Sequence, residues 1–415
     1  MTRFGRIAAC IDEDRLWQRH EDLARFGATE RGGVNRQALS EADFAAQRQL
    51  IAWAQALDLS PSADAAGNLF LRMEGRDNNL PPVLSGSHID SQPTGGKYDG
   101  TFGVLAGLEV VAAMREAHVQ PLRPLDIVAW MNEEGSRFAP GMMGSEAFAG
   151  VRPLQTILDV KDGAGISVAE ALKHRLDLPQ RPLGFPIAAF IEAHIEQGPE
   201  LEITQRQIGT VTGIQGKKTF SVSILGEEGH AGTTPRRVRK DALASAAGII
   251  HALHREIRDD EDQVRFTIGR LTVVPNAPSV IPGRVTFSVD LRHPLQSSLE
   301  AFGQRLVEIV ESSAAPCTAT IERLVDAPSL VFPAAIQDLI RDSASKLGIS
   351  NMDMPSAAGH DARNVHVVAP SGMIFIPCEK GISHNEAEAV SRADLAAGAR
   401  VLAEVLAQLT DMTEI

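Results

Sequence analysis

Five short segments, scattered along the chain, carry residue types that together would hold two metal ions. They are Gly86-Ser-His-Ile-Asp90, Gly95-Gly-Lys-Tyr-Asp-Gly100, Asn132-Glu-Glu-Gly135, Glu192-Ala-His194 and Ile382-Ser-His-Asn385. Their imidazole nitrogens and carboxylate oxygens suit Zn, Mn, Co or Ni. One carboxylate has two oxygens, so a single Asp such as Asp99 is able to bridge two cations. Glu133 and Glu134 are the sharpest local signal. Two adjacent carboxylates at the end of an apolar strand repel, and a cation on one of them relieves the repulsion. The other is then free to move protons, a role worth roughly 10²–10⁴-fold in rate. Taken singly, each segment has a plainer reading. His88-x-Asp90 describes a core histidine as readily as a ligand, and Asp99-Gly100 describes a simple turn.

The elements around these residues decide whether they meet. Pro82 to His88, Leu125 to Met131 and Ile187 to His194 read as buried strands, each ending at or beside a candidate ligand. On a strand, residues two apart point to the same side, so Asp90 is expected to accept a hydrogen bond from the His88 ring. Phe102 to Glu116 reads as an apolar helix, and residues 14–57 as helical. Strand, loop and helix alternate, which predicts an α/β domain with a largely parallel central sheet. Ligand sites then gather at the carboxyl ends of its strands.

After about residue 212 the pattern changes. Strands at 219–225, 264–274, 284–291 and 317–324, with helices at 241–257 and 299–312, follow the order β-α-β-β-α-β of the ferredoxin-like unit. The expectation is a catalytic domain of residues 1–212 and 328–415 with an inserted α+β domain at 213–327. Helix 334–347, the Gly359-His-Asp361 loop, strand Gly372 to Ile376 and a last helix at about 392–409 would complete the first domain.

Composition narrows the function. The chain has 415 residues and a net formal charge of −13. That opposes a nucleic-acid or anionic-membrane partner. Cys10, Cys317 and Cys378 form no CxxC pair, which favours a reducing compartment. Met1 to Glu13 lacks the apolar core of a signal peptide, no apolar run has spanning length, and a cytoplasmic enzyme is expected. Neither HExxH nor the Gly-x-Ser-x-Gly elbow of serine hydrolases occurs.

At the five segments the chain resembles the aminoacylase-like dinuclear metallohydrolases, and within them the hydantoinase/carbamoylase amidases. The phrases that carry this are Gly86-Ser-His-Ile-Asp-Ser91, Gly95-Gly-Lys-Tyr-Asp-Gly100, Asn132-Glu-Glu-Gly-Ser-Arg-Phe138, His194-Ile-Glu-Gln-Gly-Pro199 and Gly229-His-Ala-Gly-Thr-Thr-Pro235. The resemblance spans roughly residues 80–390. It implies two divalent metals per subunit, one on His88 and His194, the other on Glu134 and His384, with Asp99 between them. It implies Glu133 as general base and acid, and Asp90 is counted with it among the catalytic residues. Gln197, Asn276, Arg292, Gly359 and His360 would bind substrate, and Arg292 would grip a carboxylate.

His230 would polarise the scissile carbonyl from the partner subunit of a homodimer, the inserted domain acting as lid. The implied reaction is hydrolysis of an N-carbamoyl-L-amino acid or N-carbamoyl-β-alanine to amino acid, CO₂ and ammonia. Allantoate hydrolysis, or an aminoacylase or dipeptidase activity on the same scaffold, stands as the alternative. Two places depart from the family pattern. Arg236 and Arg237 follow Thr-Thr-Pro235, and Ala357-Ala358 precede Gly359.

Overall fold

The computed structural model describes residues 5–414, so Met1 to Phe4, part of the stretch searched for a leader, lie outside it. The described chain divides into two compact units. One runs up to Thr212 and includes Phe332–Met354 and the chain from Ala358 on; the other is Gly213–Val331 with Pro355–Ala357. The return to the first unit comes at Phe332, four residues beyond the expected 328.

The first unit is built on strands β1 (Ser60–Ala63), β2 (Leu69–Met73), β3 (Val83–His88), β4 (Leu125–Trp130), β5 (Ala189–Ile195), β6 (Ile208–Ile214) and β7 (Ser371–Ile376). Their order across the sheet is β1-β2-β4-β3-β5-β7-β6. The four central strands, β4, β3, β5 and β7, are mutually parallel, and the outer pairings are antiparallel. Every residue of those four strands is buried. That is the reading of a parallel sheet covered on both faces. Helix Thr101–Glu116 is buried from Thr101 to Met114, and Arg392–Asp411 packs against it. The sheet is thus mixed α/β with a largely parallel centre, as the alternation of patterns predicts.

The expected helical stretch 14–57 is two helices, Glu13–Leu23 and Glu41–Ala56. Glycines break it: Gly27 and Gly32 hold left-handed φ angles of 87° and 88°. Ser40 restarts the helix by accepting the Asp43 N–H. Arg36, in the intervening loop, is buried and donates to the carbonyls of Leu23, Phe26 and Ile89. The loop is thereby fastened beside the end of β3.

The second unit has strands Gly216–Leu225, Arg265–Thr267, Leu271–Val274, Arg284–His293 and Thr318–Ala327, all paired antiparallel. The expected strand 264–274 is broken around Gly269, and both pieces pair with Arg284–His293. Taking these two pieces as one, the spatial order is second, third, first, fourth, that of a ferredoxin-like sheet. Helices Ala242–Glu256 and Gln296–Ser313 bury one side of each against it. Among the described residues no helix is long and apolar enough to cross a membrane.

Candidate metal centre

The carboxyl ends of the four central parallel strands deliver the predicted ligands. His88 closes β3, His194 is the penultimate residue of β5, Glu133 and Glu134 follow β4, and His384 lies in the loop after β7. Asp99 sits in the loop between β3 and helix Thr101–Glu116. Several backbone positions here are left-handed without being glycine: Asn132 (φ 54°), Gln197 (58°) and His384 (52°). Such conformations carry strain and concentrate where a side chain must be aimed. Gly100 (φ 66°) is a glycine for a second reason. A Cβ there would fall 2.3 Å from Nε2 of His88.

Asp99 lies between two groups of donors. Its Oδ1 is 3.1 Å from His194 Nε2 and 3.9 Å from His88 Nε2. Its Oδ2 is 3.2 Å from His384 Nε2, which is also 3.2 Å from Glu134 Oε2. Each triad, His88–Asp99–His194 and Asp99–Glu134–His384, places its ligand atoms within 4.8 Å of one another. Gln197 Nε2 and Ser383 Oγ donate to Asp99 Oδ2, both at 2.9 Å, and Gln92 Nε2 donates to Glu134 Oε2 at 2.9 Å.

The donor set fits a cation. His88 Nδ1 lies 3.0 Å from the Asp90 carbonyl, and His194 Nδ1 lies 2.8 Å from that of Ile195. A carbonyl only accepts, so these nitrogens carry the protons and the Nε2 atoms hold the lone pairs. The Gly100 N–H, 3.2 Å from His194 Nε2, donates to one of them. Lone pairs facing a buried carboxylate repel unless positive charge joins them. Burial opposes a charged His194, but Asp99 outweighs burial and lifts the ring to about 9. Hydrogen bonds to Asp99 and Glu134 lift His384 to about 10. A divalent metal held through the same Nε2 atoms answers the same need, and the residues therefore fit divalent metal binding.

Glu133 belongs to neither triad. Its Oε2 lies 3.4 Å from His88 Nε2. Burial, then the charges of Asp361, Glu134, Asp90 and Asp99, hold its carboxyl well above the usual range. A carboxyl whose affinity for protons is raised in this way, beside a ligand cluster, suits proton transfer.

Asp90 works differently from expectation. β3 ends at His88, so the alternation of a strand no longer applies two residues on. The Asp90 carboxylate is 3.7 Å from His88 Nδ1 and instead accepts the backbone N–H groups of Glu133 (3.1 Å) and Glu134 (3.2 Å). It is the carbonyl of Asp90 that meets the ring. The His360 ring stands 4.5 Å from that of His194, and Gly359 precedes it in the chain beside the Met142 side chain.

Three buried carboxylates were given no role by the reading of the sequence, although Glu192 stands in one of the five segments. Glu192 accepts from Ser87 Oγ (2.6 Å) and from the Ala362 N–H (2.9 Å), which ties β5 to β3 and to the Gly359 loop. Asp361 accepts from Ser145 Oγ, and Glu388 from the N–H groups of Tyr98 and Asp99. Glu192 lies two residues from His194 on a buried strand, a signal present in the sequence. Cys378 is inert here: it is buried, and its thiol is pushed up to about 12.

His230, Asn276 and Arg292 belong to the second unit. His230 lies on a two-residue strand paired with Val280–Ile281. Its Nδ1 accepts the N–H groups of Gly232 (3.0 Å) and Thr233 (3.2 Å), which leaves the proton on the outward Nε2. Asn276 has a left-handed φ of 59°. Arg292 engages Asp290, with Nε–Oδ1 at 2.7 Å and Nη2–Oδ2 at 3.2 Å, and lines a cleft of about 600 Å³ with Arg265 and Gln215.

Residues 84–408 match the model of Peptidase family M20/M25/M40. The chain is 38% identical to an N-carbamoyl-L-amino-acid amidohydrolase of Rhizobium meliloti, over 97% of this chain and 98% of that one. It is 36% identical to the allantoate amidohydrolase of Bacillus subtilis, over 94% and 96%. A solved amidase of the hydantoinase/carbamoylase family from Burkholderia multivorans superposes with a TM-score of 0.91 at 39% identity, covering 98% of this chain and 99% of that one. With the ligand triads at the carboxyl ends of its central strands, the chain belongs to the hydantoinase/carbamoylase amidases of Peptidase family M20/M25/M40, and it is a hydrolase.

Proposed function

We propose that this enzyme hydrolyses N-carbamoyl amino acids to the free amino acid, CO₂ and ammonia, using two divalent metals per chain. The observation that carries the reading is Asp99, whose two oxygens address separate triads while Glu133 stands beside them and joins neither. His88 and His194 would hold one metal, Glu134 and His384 the other. Bound there, divalent metals supply Lewis acidity and bring the pKa of water down towards about 7.

Glu133 takes the proton of the attacking water and returns it to the leaving nitrogen. Its raised pKa matches it to the second half of that task. His230, with its proton on Nε2, donates to the carbonyl oxygen as negative charge develops there. Arg292 and Asn276 bind the substrate carboxylate, and Gln197, Gly359 and His360 line the substrate. The second unit acts as a lid, and in a homodimer the partner's lid completes the site. N-carbamoyl-L-amino acids are the first choice because several relatives of matching length carry that name. Allantoate is the second reading, favoured by the relatives named for it.

The test is a substrate panel on chelator-stripped protein refilled with Zn, Mn, Co or Ni. N-carbamoyl-L-amino acids, N-carbamoyl-β-alanine, allantoate and dipeptides are compared by release of ammonia and amine. Ammonia from a carbamoyl amino acid is the expected result. Silence on every ureido compound, with dipeptides cleaved, contradicts it.

A further inference from the structure

Glu388 lies four residues beyond His384, and its carboxylate is buried. It is in neither metal triad. Yet it meets three donors from two separate segments. The N–H groups of Tyr98 (2.8 Å) and Asp99 (3.1 Å) donate to Oε1, and Oε2 lies 3.1 Å from Ser383 Oγ, whose single proton is shared between Glu388 and Asp99. Ser383 Oγ also reaches Asp99 Oδ2 at 2.9 Å. The fit is close: a Cβ on Gly96 would stand 2.0 Å from Glu388 Oε1, so only glycine leaves room for this carboxylate.

The two triads depend unequally on this tie. His88 and His194 sit at the ends of central strands, and the Nδ1 of each is anchored on a backbone carbonyl. His384 is half exposed, on a loop, in a left-handed conformation. The position of its ring relative to Asp99 follows from how the 383–388 loop is held against the Tyr98–Asp99 backbone. Glu388 makes that attachment through both of its oxygens.

We propose that Glu388 is a positioning residue that fastens Asp99 and His384 to each other and so sets the affinity of the metal at Asp99–Glu134–His384, leaving that at His88–Asp99–His194 largely independent. The inference rests on the two-metal reading above. Residues that orient ligands in this way are typically worth ~10–100-fold in metal affinity.

The test is zinc binding to the chelator-stripped full-length chain, followed by competition with a chromogenic chelator. The wild-type protein is expected to take up two zinc ions. Glu388→Ala is expected to keep the tighter zinc and to weaken the other ~10–100-fold. Glu388→Gln keeps an oxygen for the Tyr98 and Asp99 N–H groups and is expected to recover most of the loss. Gly96→Ala, whose Cβ would stand 2.0 Å from Glu388 Oε1, displaces this carboxylate while leaving Ser383 and the ligands in place, and is expected to weaken the same zinc alone; it decides the matter if Glu388→Ala does not fold. Wild-type affinity for both ions in Glu388→Ala, equal loss of both, or Glu388→Gln no better than Glu388→Ala each overturns the proposal. A wild-type chain that binds fewer than two zinc ions overturns the two-metal reading itself.

Discussion

The carboxylate of Asp90 accepts the backbone N–H of Glu133 at 3.1 Å, and its other oxygen accepts that of Glu134. Asp90 therefore sets the turn on which both glutamates ride. In Asp90→Asn one acceptor becomes an NH₂ facing an N–H. We expect turnover to fall ~10–100-fold with the fold retained, measured as ammonia release beside a circular dichroism melt. If Asp90 served only the His88 ring, metal content would fall first and in proportion to activity.

Gly100 touches the centre through what it lacks. A Cβ there would meet His88 Nε2 at 2.3 Å, and its φ of 66° is disfavoured for alanine. Holding a side-chain-bearing residue in so sparsely populated a backbone region costs on the order of 1–3 kcal/mol. Gly100→Ala is predicted to lower the melting temperature and to displace His88 from its triad. Metal content by atomic absorption should drop below that of the wild type; full metal content with normal activity contradicts this.

The ligands themselves are readable from the sequence because each sits at or next to the point where a buried apolar run stops. His88, Glu134 and His194 follow that rule, and the parallel sheet gathers strand ends at one side. Glu388 obeys no such rule. Its partners are backbone N–H groups in the distant Tyr98–Asp99 turn, a contact no local pattern announces. Asp90 receives the wrong partner when strand periodicity is carried past His88, the last residue of β3. The break between the first two helices, by contrast, is marked in the sequence by Gly27 and Gly32, whose left-handed backbones keep the intervening loop from continuing as helix.

His20 is buried against Tyr98 and Phe102, and burial pushes its ring down to about 3. The folded ring stays neutral where the unfolded ring, near 6.5, already takes a proton. Above pH 6.5 the group is neutral in both states and costs nothing. As pH falls from 6.5 to about 3, the unfolded state binds the extra proton and the fold loses stability, by up to ~1.4 kcal/mol per pH unit from this residue. Denaturant melts of His20→Leu across that window should show a shallower loss than the wild type. Identical slopes contradict the assignment.

His230 carries its proton on the outward Nε2 because Nδ1 is occupied by two backbone N–H groups. As a donor to developing negative charge, it should matter more in the transition state than in the bound substrate. His230→Ala is predicted to lower kcat ~10²–10³-fold with little change in KM. A rise in KM at constant kcat would reassign it to simple binding.

Glu133 is the residue on which the mechanism turns. It stands 3.4 Å from His88 Nε2, outside both triads, with a carboxyl that burial and neighbouring acids hold well above the usual range. The most direct measurement is ammonia release from an N-carbamoyl-L-amino acid by Glu133→Gln, with bound metal determined on the same sample. The expected result is a wild-type metal content and a rate at least ~10²-fold lower, the loss of a proton carrier. Turnover near the wild-type rate with both metals bound would contradict the account.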